Sequence, residues 1–162
     1  PEEARKSGLT LAYYDALKKS GENADKAALL FNRWDTSIAT AKPDEKLISS
    51  VDSDTKGNFN LAYTFFHFAT NCFSPEIKKE ILENIGKLDA PIYIIHGKED
   101  HICPVENALE LAKHCKKPHL DIIENAGHSI ADTKIQKAII SAAANLAKEK
   151  AAQAKKFPIF KH

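Results

Sequence analysis

Two short segments carry residues whose types and spacing suit proton transfer. In the first, Pro91-Ile92-Tyr93-Ile94-Ile95-His96-Gly97-Lys98-Glu99-Asp100-His101-Ile102-Cys103-Pro104, an apolar run reaches Gly97 and an acid, Asp100, follows the turn. In the second, His119-Leu120-Asp121-Ile122-Ile123-Glu124 gives way to Asn125-Ala126-Gly127-His128-Ser129, and His128 follows the turn. A carboxylate bonded to one imidazole nitrogen fixes the tautomer and stabilises the imidazolium. The other nitrogen is then left to take a proton from a nucleophile's hydroxyl. Each residue alone has an ordinary reading. Asp100 can order its loop by accepting backbone amides ahead of Pro104, and a loop histidine can be a polar surface residue. The pairing is what points to chemistry.

Such side chains need a scaffold. Residues 91–97 form a continuous, Ile-rich run, which suits a strand buried on both faces of a parallel sheet. Residues 104–115 read as an amphipathic helix with Val105, Ala108, Leu109 and Leu111 on one side. Residues 119–124 read as a second strand. An Ala-rich closing helix runs from Thr133 to the region of Gln153, with Lys148, Lys150, Lys155 and Lys156 near or beyond its C-terminal end, where cations suit the helix dipole. Strand, helix, strand, helix predicts a parallel βαβα unit. Asp100 and His128 then stand at the carboxyl edge of the sheet, where open α/β sheets gather ligands and catalytic groups. Two strands do not make a stable sheet alone, so further strands are expected from elsewhere.

Residues 1–74 offer none, because they read as helical. Leu9, Leu11, Tyr14 and Leu17, then Ala27, Leu30, Phe31 and Trp34, recur at three- and four-residue steps. Ser20-Gly21-Glu22-Asn23 separates the two runs, Lys42-Pro43-Asp44 ends the second, and residues 49–58 read as a polar surface loop. A third helix, with Phe59, Leu61, Ala62, Phe65, Phe66 and Phe68, is apolar nearly all round and is expected to be buried between neighbours or to line a pocket. Ser74-Pro75-Glu76 signals a helix start, and that helix ends at Gly86. The expected organisation is residues 1–74 as a helical cap and 75–162 as the C-terminal part of an α/β core.

An acid after one strand and a histidine after the next is the acid-then-base order of an α/β-hydrolase. The nucleophile does not accompany them. The six glycines (Gly8, Gly21, Gly57, Gly86, Gly97 and Gly127) include no two four apart, so these residues hold no G-x-S-x-G elbow, and no Gly-Gly oxyanion loop exists either. In that chain order the serine precedes both partners, so it is expected upstream of Pro1. The sequence has no Met, not even an initiator, which fits a piece of something longer. The expected fold class is α/β, the C-terminal part of an α/β-hydrolase: a helical cap followed by a βαβα unit. The 162 residues alone are expected to be incomplete and inactive.

The detail of these segments resembles the proline iminopeptidases, α/β-hydrolases with a helical cap. The likeness covers most of the chain. Tyr13-Tyr14 and Phe31-Asn32-Arg33-Trp34-Asp35 are similar to the cap segment in which that family carries a Trp-Glu pair. The stretch from Pro91 through Cys103-Pro104-Val105-Glu106-Asn107-Ala108 resembles the family's strand, acid and CP-x-ENA helix start, and Ala126-Gly127-His128-Ser129 its histidine loop. The resemblance implies that Asp100 and His128 are the catalytic acid and base, that Cys103 lies near the site, and that Asp35 meets a substrate's free α-ammonium beside Trp34. Asp35 is one methylene shorter than the family's Glu. Phe65 stands where the family has a second carboxylate, two residues before the histidine matched by His67, and with Phe66 and Phe68 it can wall a prolyl ring. The implied activity is serine-type release of N-terminal proline from peptides. The rivals are a capped hydrolase acting on another amide or ester, and a non-catalytic helical interaction protein derived from a hydrolase.

Composition narrows the partners. Lys plus Arg is 23 and Asp plus Glu is 22, a net charge of +1, which argues against a nucleic-acid partner held through phosphates. With 43% hydrophobic and 28% charged residues the chain has an ordinary globular composition. It has no apolar run of about 18 residues, as a membrane-spanning helix needs, and Pro1-Glu2-Glu3-Ala4-Arg5-Lys6 lacks the apolar core of a signal peptide. Cys72, Cys103 and Cys115 read as reduced thiols of a cytoplasmic protein. His96, His101, Cys103, His114, Cys115 and His119 lack the pair spacings of a zinc site, so neither metal nor other cofactor is expected. The expected partners are a peptide with a free N-terminus and the upstream segment of the same protein, with no nucleic acid and no membrane. A homo-oligomer stays open.

Overall fold

The structure is a computed structural model that describes residues 8–156, with side chains through residue 152. Two compact units divide the chain, one ending at Asn84 and the other beginning at Ile85. The division thus falls near the end of the helix that starts at Pro75, not ahead of it.

In the first unit, α1 (Leu9–Lys18), α2 (Glu22–Ile38), α3 (Glu45–Ser50) and α4 (Thr55–Asn71) pack together. Helix α5 (Pro75–Ile85) follows and crosses the division. The α1–α2 corner turns at Ser20 and Gly21, both at positive φ, where glycine carries no Cβ penalty. The apolar faces of α1, α2 and α4 meet in a core of Tyr14, Leu17, Ala28, Phe31, Ala62 and Phe66. Ala28 and Ala62 are wholly buried, and their small side chains let the helix backbones approach. Asn32 ties α2 to α4, its Nδ2 donating to the Asn58 carbonyl at 2.8 Å and to the Ala28 carbonyl at 2.9 Å.

One expectation for this unit needs correction. Residues 49–58 lie mostly at the surface, as expected, but as helix and turn and not as a loop. Asp44 caps α3 by accepting from the Lys46 and Leu47 amides, a 3-10 turn covers Val51–Ser53, and Asp54 caps α4 by accepting from the Gly57 amide. Capping aspartates satisfy the orphan amides at helix starts that composition alone hides. Helix α4 buries Asn58, Ala62 and Phe66 on one stripe, i to i+4 to i+8, and lines a pocket with Phe65 and Phe66, as expected. Leu61, Phe65 and Phe68 are 58%, 39% and 48% exposed, so α4 is not covered all round among the described residues.

In the second unit, β1 (Ile92–Gly97) and β2 (Pro118–Ile123) run parallel in direct register from Ile92↔Pro118 to Gly97↔Ile123. Helix α6 (Val105–His114) makes the crossover that parallel strands require, and α7 (Thr133–Lys156) packs on both strands. Lys155 and Lys156, expected to complement the end of α7, have side chains outside the described residues. The core is small: Ile94, Ala108 and Cys115, with Ile85, Ile92, Leu111 and Ala112 against it. Burial of the strands on both faces is not what this unit shows. Ile94 and Gly97 are buried, but the rest of β1 is half-buried and Pro118 to Asp121 of β2 are exposed. Two helices on a two-stranded sheet supply too little surface to cover both faces.

Candidate active site

Gly97 and Ile123, opposite each other, end the two strands, and the chain turns from both onto one edge of the sheet. The two turns are bonded backbone to backbone. The Lys98 amide donates to the Ile123 carbonyl at 2.9 Å and the Glu99 amide to the Ala126 carbonyl at 3.0 Å. In return the Ala126 amide donates to Glu99 Oε2 at 3.1 Å. Gly97 permits this approach, because a Cβ there would collide with the backbone carbonyls of Ala126 and Gly127. Asn125 supplies the left-handed corner of the second turn at φ 53°, a region asparagine tolerates. From α7, Lys134 Nζ donates to the carbonyls of Glu124 and Asn125 at 3.2 and 3.1 Å.

This frame sets Asp100 against His128, with His128 Nδ1 2.9 Å from Asp100 Oδ2. The Asp100 side chain is 3% exposed and that of His128 is 44% exposed. Asp100 Oδ1 accepts from the Ile102 and Cys103 amides at 2.9 and 2.8 Å, so the loop-ordering role and the pairing with His128 coexist on one carboxylate. Burial works to raise the Asp100 pKa. The bonds from the Cys103 amide, His128 and the Ile102 amide outweigh it and hold the carboxyl below the usual aspartate range. An ionised carboxylate only accepts, so Nδ1 of His128 carries the proton and Nε2 of the neutral ring is the basic nitrogen. An acid so placed can orient an imidazole for general base work.

Ser129 does not complete the set. Its hydroxyl oxygen accepts from the Ala131 amide at 3.1 Å, an ordinary short turn. Cys103 is exposed and in no disulfide. Its backbone amide donates to Asp100, and its carbonyl lies 2.9 Å from His96 Nε2. Among the described residues no three His, Cys, Asp or Glu side chains converge as a metal-binding group. No helix there is long and apolar enough to cross a membrane.

The remaining candidates belong to the helical unit. Trp34 and Phe65, with Leu9, Tyr13, Phe31 and Phe66, line a cavity of about 420 Å³. The Phe65 and Trp34 rings lie 4.9 and 6.1 Å from that of Phe31, centroid to centroid. Asp35 follows Trp34 on α2 and is half-buried. The neighbouring Arg33 is engaged with Asp52, from Nη1 to both carboxylate oxygens at 3.0 and 3.1 Å. Asp100 and His128 are thus brought together in one unit, and Trp34 and Phe65 in the other. Sequence reasoning missed Glu99, Lys134 and the contacts of His96. His96 and Glu99 gave one signal, their position at or just past the end of β1, and Lys134 on α7 gave none.

Comparison with known proteins places this arrangement. The profile described as "Dienelactone hydrolase family" matches residues 57–162. A proline iminopeptidase from Neisseria gonorrhoeae is 28% identical over 142 residues, which are 86% of this chain and 44% of that protein. A Mycoplasma pneumoniae protein that carries the same name provisionally is 31% identical over 134 residues, 76% of this chain and 40% of that protein. The chain therefore spans less than half the length of these curated relatives. Among solved structures, the esterase EaEST from Exiguobacterium antarcticum superposes with a TM-score of 0.54 at 18% identity, covering 86% of this chain and 47% of the esterase. The fold is that of an α/β-hydrolase, present here in part, with a mostly helical chain and a small parallel sheet.

Proposed function

The chain belongs to the dienelactone hydrolase family, and from that premise we propose that it supplies the acid and base of a serine-type hydrolase that releases N-terminal proline from peptides. The observation that carries the reading is the 2.9 Å contact between His128 Nδ1 and a shielded, ionised Asp100. The names of the relatives supply the substrate class. The nucleophilic serine and the oxyanion donors lie outside residues 1–162, upstream in the complete protein.

His128 Nε2 takes the serine proton as the oxygen attacks the prolyl carbonyl carbon. Asp100 stabilises the imidazolium that forms. The imidazolium returns that proton to the departing amine nitrogen as the C–N bond breaks, leaving a prolyl ester on the serine. Water, deprotonated by the same nitrogen, releases proline and restores the hydroxyl. Residues 1–74 act as the cap. Asp35 pairs with the substrate's ammonium, Trp34 and Phe65 contact the ring, and Cys103 borders the site. The working place is the cytoplasm, and the partners are the peptide and the upstream segment, with no nucleic acid or membrane involved.

Phe65 favours a second reading, a capped hydrolase of another amide or ester, because it puts an aromatic ring into an apolar cavity where an aminopeptidase needs charge. The test is hydrolysis by the complete protein of proline p-nitroanilide, its N-acetylated form and a neutral phenyl ester. The first reading expects turnover of the free-amine substrate and little of its acetylated form. Preference for the acetylated amide or the ester selects the second. No turnover of any of the three refutes both.

A further inference from the structure

We propose that His96 is a positioning residue for the acid–base pair, sharing one N–H between the Cys103 carbonyl and the Asp100 carboxylate. The inference rests on Asp100 and His128 being acid and base. His96 is the penultimate residue of β1, and its Nε2 lies 2.9 Å from the Cys103 carbonyl oxygen. A carbonyl only accepts, so Nε2 must carry a hydrogen. The same Nε2 lies 3.4 Å from Asp100 Oδ2, the oxygen that meets His128 Nδ1 at 2.9 Å. Oδ1 accepts from the Ile102 and Cys103 amides, which leaves Oδ2 to face His128 and His96. The His96 side chain is 16% exposed, which limits competition from water.

The arrangement has two consequences. The bond to the Cys103 carbonyl closes the acid turn across its mouth, with Asp100 inside. The N–H dipole also draws on the charge of Oδ2, which lowers the basicity of the oxygen that holds His128. The other titratable groups on these turns are Glu99, His101 and Cys103, and the exposed Lys98–Glu124 pair.

The test is nitrogen NMR of the complete protein labelled with ¹⁵N-histidine, in the wild type and in His96→Leu, His96→Gln and Asp100→Asn. Two wild-type signals are expected: a neutral His96 ring protonated at Nε2, and a downfield His128 Nδ1–H that vanishes in Asp100→Asn. In His96→Leu the His128 proton should move further downfield, because Oδ2 is no longer shared. In His96→Gln, whose amide N–H reaches about as far, it should stay near the wild-type position. A His96 ring protonated at Nδ1 overturns the proposal without any variant. An unmoved His128 proton in His96→Leu also overturns it. Loss of that proton in His96→Leu alone would show a strut for the turn and no sharing. A wild type with no downfield His128 proton refutes the acid–base reading itself, and this inference with it.

Discussion

Asp100 holds its proton less tightly than an ordinary aspartate because the Ile102 amide, the Cys103 amide and His128 Nδ1 all donate to it. Its folded-state pKa lies below the unfolded one, so its ionised form contributes stability that is complete above the unfolded value of about 3.9 and is lost as pH falls through the depressed folded value. Asp100→Asn should therefore flatten the loss of stability with acidification below about pH 4, read by circular dichroism. An unaltered acid limb would mean these bonds do not carry the stability. In the complete protein the same substitution should lower kcat by about four orders of magnitude, since an amide no longer selects the imidazole tautomer that accepts the serine proton. At Asp35, removal of the charge should cost free-amine substrates about ten- to a hundredfold and leave neutral esters nearly unchanged, the loss of a charge-assisted contact of about 1.5–3 kcal/mol. Equal losses on both substrate classes would make Asp35 structural.

At the scale of elements, the approach of the two turns is the vulnerable feature. Gly97→Ala puts a methyl group into the Ala126 and Gly127 carbonyls, which are backbone and cannot swing aside. It should destabilise the protein by about 1–3 kcal/mol, as overpacking does, and abolish the Asp100–His128 bond. A urea midpoint and a His128 proton signal both unchanged would contradict the geometry. Asp54→Ala should cost about 1 kcal/mol through loss of the α4 cap. The strands were legible because Ile-rich runs ending in turns have few other homes, and both were read to within a residue or two. Helix α3 was not, because Glu45 to Ser50 sits among Asp, Ser and Lys, and the capping by Asp44 that makes it a helix is a matter of geometry. The same holds at the site. Asp100 and His128 were visible as an acid and a base after successive strands. Glu99 and His96 were not, because their partners, the Ala126 amide and the Cys103 carbonyl, are backbone groups that no side-chain pattern marks.

At the scale of the molecule, a helical unit and a two-stranded α/β unit match less than half the length of the curated relatives. The chain belongs to the dienelactone hydrolase family and holds the Asp100–His128 contact, but residues 1–162 contain no serine on a glycine-flanked elbow. The central claim is that Asp100 and His128 activate a serine supplied from outside these residues. The most direct measurement is peptide mapping by mass spectrometry of the complete protein after reaction with a fluorophosphonate, alongside His128→Gln and the 162-residue chain. The account predicts one phosphonyl adduct in the complete protein, on a serine outside residues 1–162. It also predicts labelling slowed by about a thousandfold or more in His128→Gln, and no adduct on the shorter chain. An adduct on a serine within residues 1–162, or labelling at an undiminished rate in His128→Gln, would contradict it.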